Sequence, residues 1–172
     1  MSRTPLSSQI KSGYEGDIMT QATHSGEFLT FDLGGQEYAV DIMSVREIRG
    51  WTKTTPMPHS PDFMRGVINL RGTVLPVMDL SARIGLLPIE PTARNVIIVA
   101  KFQNALTGLL VDAVSDIITI QSEDLQPPPD NGTGQTTNTI EALTLVEERM
   151  IRILSLHSVL SVEKSAAACI VL

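Results

Sequence analysis

Between Phe63 and Leu80 the sequence carries two short apolar runs, Val67–Leu70 and Val74–Leu80, separated by the pair Arg71-Gly72. Each run is too short for a helix and the break holds a glycine, so the stretch reads as a hairpin whose strands face a core. Gly72 supplies the positive φ that a tight turn needs. Pro76 lies inside the second run and has no N–H for a ladder, which restricts that strand to an edge or a bulge there. Asn69 and Arg71 are polar groups set among apolar ones, and must find partners or reach the surface. On spacing alone this is a core hairpin with an exposed turn.

The same grammar recurs along the chain. Leu29, Phe31 and Leu33 alternate with Thr30 and Asp32; Gly34-Gly35 breaks the run, and Tyr38, Val40 and Ile42 resume it as a second hairpin. Ile42, Val45 and Ile48 then fall three apart, which reads as one face of a short helix capped by Asp41 or Ser44. Pro56, Pro58 and Pro61 make the next stretch an extended connector, with Trp51 partly buried and His59 exposed. Ser81 to Leu87 reads as one or two helical turns ending at Pro88. Val96–Val99 is a β-branched run suited to a strand buried on both faces. After a turn at Gln103-Asn104, two strands fill Leu106 to Ile120, where Gly108 permits a bulge or a close backbone approach. Ile140–Val146 and Met150–Leu154 flank the charged turn Glu147-Glu148-Arg149, and a short helix follows from His157 to Leu160. Roughly ten short strands joined by tight turns predict an all-β chain of barrel architecture. Residues 1–25 read as a mobile tail, residues 162–172 as a second tail, and residues 121–139, with three consecutive prolines, as a loop.

Composition sets outer bounds on function. The 172 residues amount to about one domain, 42% hydrophobic and 19% charged, and with 4% aromatics the core must be aliphatic. A net charge of −6 argues against nucleic acid as a partner, because phosphate neutralisation needs clustered cations. One cysteine, Cys169, allows neither an internal disulfide nor a multi-cysteine metal site, which suits a reducing compartment. No apolar stretch is long enough to span a bilayer and no signal-peptide pattern opens the chain, so the expected location is the cytoplasm.

Three stretches carry a resemblance. Arg65-Gly-Val-Ile-Asn-Leu-Arg-Gly72 followed by Val74-Leu-Pro-Val-Met-Asp-Leu80, then Tyr38-Ala-Val-Asp-Ile-Met-Ser-Val-Arg-Glu-Ile-Arg-Gly50, and Gly108-Leu-Leu-Val-Asp-Ala-Val114 all resemble the CheW family of bacterial chemotaxis coupling proteins. The resemblance covers roughly Phe28 to Leu160 and departs from the family in the N-terminal extension and the loop before Ile140. It implies two small five-stranded β-barrels packed side by side with short helices, in a domain spanning residues 26–161. It also implies a non-enzymatic adaptor that couples a CheA-type histidine kinase to transmembrane chemoreceptors, monomeric alone, without a cofactor, and recruited to receptor arrays at the inner face of the membrane.

By the same resemblance, Val45, Arg71, Val111 and Val114 are implied in receptor binding, and Glu47, Gly66 and Asn69 in kinase and receptor coupling. A receptor's helical tip would lie between the barrels, and the kinase would use the strands between Glu47 and Pro76. By pattern alone Val45 is a core residue and Glu47 a solvated one.

A search for chemistry finds no phosphate-binding glycine loop and no nucleophile elbow. His24, His59 and His157 have no second ligand at metal spacing, and Asp112 and Asp116, four apart in a strand context, do not form a side-by-side pair. The alternative class, a small β-barrel that binds oligonucleotides or hydrolyses a substrate, has against it the acidic balance, the few aromatics for stacking and the missing catalytic groups.

Overall fold

A computed structural model describes residues 25–129 and 139–160. The C-terminal tail, residues 1–24 of the expected N-terminal tail and the tip of the loop before Ile140 lie outside these residues; Ser25, expected to end the tail, opens β1. Ten strands are present: β1 (Ser25–Leu33), β2 (Gln36–Asp41), β3 (Val45–Gly50), β4 (Met64–Leu70), β5 (Thr73–Asp79), β6 (Val96–Phe102), β7 (Ala105–Val111), β8 (Ala113–Gln121), β9 (Ile140–Val146) and β10 (Arg149–Leu154). A helix α1 (Leu80–Arg83) follows β5, and a helix α2 over residues 156–160 follows β10.

Four two-residue turns close the hairpins, and all eight turn residues have positive φ: Gly34-Gly35, Arg71-Gly72, Gln103-Asn104 and Glu147-Glu148. This is the turn handedness that matches the right-handed twist of paired strands. Glycine marks two of these turns in the sequence. Asn104 tolerates this conformation well, but at Gln103 and at Glu147-Glu148 the flanking strands impose one that the residues themselves do not favour.

The strands form two five-stranded sheets, ordered β8-β1-β2-β10-β9 and β3-β6-β7-β5-β4. The two orders are one topology. Reading β8, β9, β10, β1 and β2 in place of β3, β4, β5, β6 and β7 turns either sheet into the other, including the parallel pairs β10–β2 and β5–β7. The match extends to irregularities. A bulge falls between Val45 and Glu47 on β3 and between Val114 and Asp116 on β8, and another between Met64 and Gly66 on β4 and between Ile140 and Ala142 on β9.

The sheets are open, not the closed barrels that the resemblance implied. Each connector reaches back over one edge through a single bridge, Thr55 to Val67 on β4 and Gln126 to Leu143 on β9, which shields that edge without completing a ladder.

Two further expectations are corrected. The helix expected over Ile42–Ile48 is a three-residue 3-10 turn, Ile42–Ser44, followed directly by β3; Asp41 caps the turn by accepting from the Met43 N–H at 2.9 Å. The bulge at Arg46 shifts the strand alternation by one residue and imitates a three-residue period, while Ile48 points outward, 45% exposed. Nor is β5 an edge strand. It lies between β4 and β7, and Pro76 is tolerated because the ladder to β7 begins one residue later, at Val77.

One apolar cluster joins the sheets: Leu29, Phe31 and Val40 from the first, Leu75, Ile98 and Leu109 from the second, and Leu156, Val159 and Leu160 from α2. A second, smaller cluster, Ala39, Ile120, Ala142, Ile151 and Ile153, lies on the other side of the first sheet. Ile97, Ile98, Val99 and Ala100 have no exposed surface, so β6 is buried on both faces as its β-branched run predicts. Gly108 meets the close approach expected of it: a Cβ there would stand 2.9 Å from a methyl of Ile97.

Candidate functional site

The second sheet turns its Arg71-Gly72 hairpin toward β3, and this brings Glu47 and Arg71 together. Arg71 Nη2 donates to Glu47 Oε2 at 2.5 Å, and Arg49 Nη1 stands 3.8 Å from the other carboxylate oxygen. The hydrogen bond from Arg71 holds the Glu47 carboxyl below its ordinary range, assisted by the charges of Arg71 and Arg49 and opposed by partial desolvation. The same bond raises Arg71 further, so both groups are charged at neutral pH. Asn69 has a backbone role, its Oδ1 accepting from the Gly72 N–H at 2.8 Å and bracing the turn that carries Arg71. The Arg71 side chain is 71% exposed. Such a pair adds little to stability, but it sets the charge of a surface.

Beside the pair opens a cleft of about 520 Å³. Leu70, Val99 and Leu106 form its apolar part, and Arg46, Arg71 and Lys101 its cationic part. Val99 lies opposite Glu47 in the β3–β6 ladder, and Lys101 opposite Leu106 in the β6–β7 ladder.

The other expected site residues are distributed as follows. Val45 opens β3, half-buried against the shared core. Val114 holds the topologically equivalent place on β8, also half-buried against that core; each valine comes immediately before a bulge. Val111 has no exposed surface and pairs with Val96 inside the second sheet, so any effect it has on a partner must pass through packing. Gly66 is also interior. Its φ is +133°, and an added Cβ would collide with the Thr55 backbone, so the glycine is what lets the connector bridge to Val67. The seven residues therefore form one surface group (Glu47, Asn69, Arg71), two half-buried valines and two interior positions.

A buried polar network was not anticipated from the sequence. Asp79 caps α1 by accepting from the Ala82 N–H at 3.1 Å; its other oxygen accepts from the Ile89 N–H and from Arg65 Nη2, each at 2.8 Å. Arg65 also donates to the Ile89 carbonyl. An aspartate directly before an apolar helical turn was the available signal for the cap. The pairing with Arg65, fourteen residues earlier, crosses the β4–β5 hairpin, whose turn at Arg71-Gly72 lies about midway between them. Asp112 forms no carboxylate pair with Asp116; it accepts from the Gly34 N–H at 2.9 Å, a turn-bracing role. Among the described residues no group of three or more His, Cys, Asp or Glu side chains is placed to hold a metal ion, and no helix is long and apolar enough to cross a membrane.

Comparison with known proteins places this geometry. The CheW-like domain family matches residues 27–164. A probable chemotaxis protein CheW of Rhizobium etli is 47% identical over 163 residues, spanning 95% of this chain and 100% of the relative. The chemotaxis protein CheW of Rhizobium meliloti is 51% identical over 142 residues, 83% of this chain and 92% of the relative. Among solved structures, the scaffolding protein TtCheW of Thermoanaerobacter tengcongensis superposes with a TM-score of 0.73 at 32% identity, covering 79% of this chain and 92% of its own.

Proposed function

The chain belongs to the CheW-like family, and from that membership we propose that it is a non-enzymatic adaptor that couples a CheA-type histidine kinase to chemoreceptors at the cytoplasmic face of the membrane. The observation that carries the reading on this chain is the placement of Glu47, Asn69 and Arg71 on one corner of the second sheet, where Glu47 lies two residues along β3 from the half-buried Val45. A charged corner that contributes little to stability and an apolar residue at the margin of the core are what a docking surface requires, and neither is a catalytic constellation.

Two surfaces follow from this reading. Val45, with Val114 at the equivalent place in the other sheet, contributes to an apolar receptor site for a helical tip, with Arg71 nearby and Val111 supporting it from within. The kinase takes the outer strands of the second sheet between Glu47 and Pro76, where Gly66 and Asn69 hold the backbone in shape. Receptor state passes to the kinase through linkage, so the two complexes must differ in free energy between signalling states.

Co-sedimentation tests this. With receptor-bearing membranes and a CheA-type kinase, the protein should bring the kinase into the pellet. A kinase that pellets equally well without it removes the coupling role.

A further inference from the structure

The shared topology of the two sheets allows a residue-by-residue comparison of their corners. The ladder registers make Glu47 of the second sheet equivalent to Asp116 of the first, Arg46 to Ser115, Lys101 to Asp32 and Arg71 to Glu147. The backbone is the same at both corners and the charge is opposite. Where the first sheet carries Asp32, Asp116 and Glu147, the second carries three cations around one carboxylate. The fold does not dictate that difference, and it runs against the chain's net charge of −6.

Glu47 is shared between Arg71 and, more distantly, Arg49. The side chains of Arg46 and Lys101 are exposed and make no ion pair or hydrogen bond among the described residues. The bulge on β3 is what projects Arg46 from the strand. Between the cations, Leu70 and the half-buried Leu106 supply the apolar part of the cleft, over the fully buried Val99.

We infer that this cleft is a docking site for an acidic amphipathic protein segment, which places an apolar side chain between Leu70 and Leu106 and its carboxylates on Arg46 and Lys101. The inference rests on the adaptor reading for the occupant being a protein, and it adds the chemistry of that occupant and two residues that the reading does not use. Complementary charge of this kind governs encounter rate and partner choice, so binding should weaken with salt.

The test uses the full chain and a synthetic amphipathic helical peptide carrying Glu beside Leu, compared with the same peptide carrying Gln for Glu. The acidic peptide should shift the NMR resonances of Arg46, Lys101 and Leu106, and the double variant Arg46→Gln/Lys101→Gln should weaken it about tenfold, as should replacing its Glu by Gln. Equal binding of both peptides, an unaffected double variant, or shifts confined to other surfaces overturns the inference. So does displacement of the peptide by an oligonucleotide or by anionic vesicles at lower concentration, or self-association of the free chain through these residues in sedimentation velocity. If the peptide binds as described but the chain assembles with neither kinase nor receptor membranes, the adaptor reading fails and the cleft stands.

Discussion

The first and second sheets share strand order, hairpin turns and the positions of two bulges, yet they fill this frame differently. After β10, Ser155 begins α2, its backbone N–H donating to Thr139 and its hydroxyl accepting from Ser158 at 3.3 Å. At the end of β5, Asp79 stands at the equivalent place and its N–H donates to Phe63, but its carboxylate holds a helix cap, the Ile89 amide and Arg65 together. The same corner is a plain cap in one sheet and the hub of a buried network in the other. The comparison separates what the fold demands, a capping oxygen, from what this chain has added in the second sheet.

That difference sets the largest expected effect. Asp79→Ala removes the cap and leaves Arg65 without its carboxylate in a site where Asp79 is 2% exposed; losing one partner of such a pair costs about 3–5 kcal/mol. Ser155→Ala removes only a cap, worth about 1 kcal/mol. Denaturant titration of both variants checks the contrast, and equal losses would show that the network adds nothing beyond capping.

Gly66→Ala comes next. The first sheet has Ala142 at the equivalent bulge, but at Gly66 a φ of +133° and the nearby Thr55 carbonyl leave no room for a methyl group. A strained backbone of this kind costs on the order of 1–3 kcal/mol before the collision is counted. The melting temperature should fall clearly, while Ala142→Gly, which loses only a small buried methyl, lowers it less.

The smallest effect on stability is expected at the exposed corner. Arg71→Ala should leave the melting temperature unchanged and still reduce coupling of kinase to receptor, whereas Glu147→Ala at the equivalent first-sheet turn should change neither. The pH dependence follows from Glu47. Its carboxyl is depressed in the folded chain, so whatever the pair adds is complete above the ordinary glutamate value of 4.5 and fades as the pH falls through the depressed one. In an NMR titration Arg71→Ala should raise the Glu47 midpoint; an unmoved midpoint would mean that the pair is absent in solution.

Much of this organisation was readable in the residues. Period-2 alternation located the hairpins, with glycine marking two of the four turns, and the β-branched run of β6 announced burial on both faces. The bulge at Arg46 defeated the reading of β3, because a single extra residue breaks the alternation on which strand recognition rests. Pro76 misplaced β5 because a proline constrains its own N–H and not the rest of the strand. The ion pair of Glu47 with Arg71, 24 residues apart, depends on how β3 meets the β4–β5 turn, which local pattern does not encode. Arg65 and Asp79 face each other across the hairpin, but the bulge between Met64 and Gly66 shifts the register that would have paired them. Motif resemblance selected Glu47 and Arg71 individually, and only the fold shows that they meet.

The central claim is that one folded chain presents separable surfaces to two partners, and Val45→Asp tests it most directly. Val45 is half-buried at the start of β3, so a carboxylate there stands at the margin of the shared core. Binding to receptor-bearing membranes and to a CheA-type kinase should be measured separately on a variant whose folding has been verified by circular dichroism. The adaptor account predicts that receptor binding is lost while kinase binding is retained. Equal weakening of both in a folded protein would contradict it, and a variant that unfolds would show Val45 to be a core residue and nothing more.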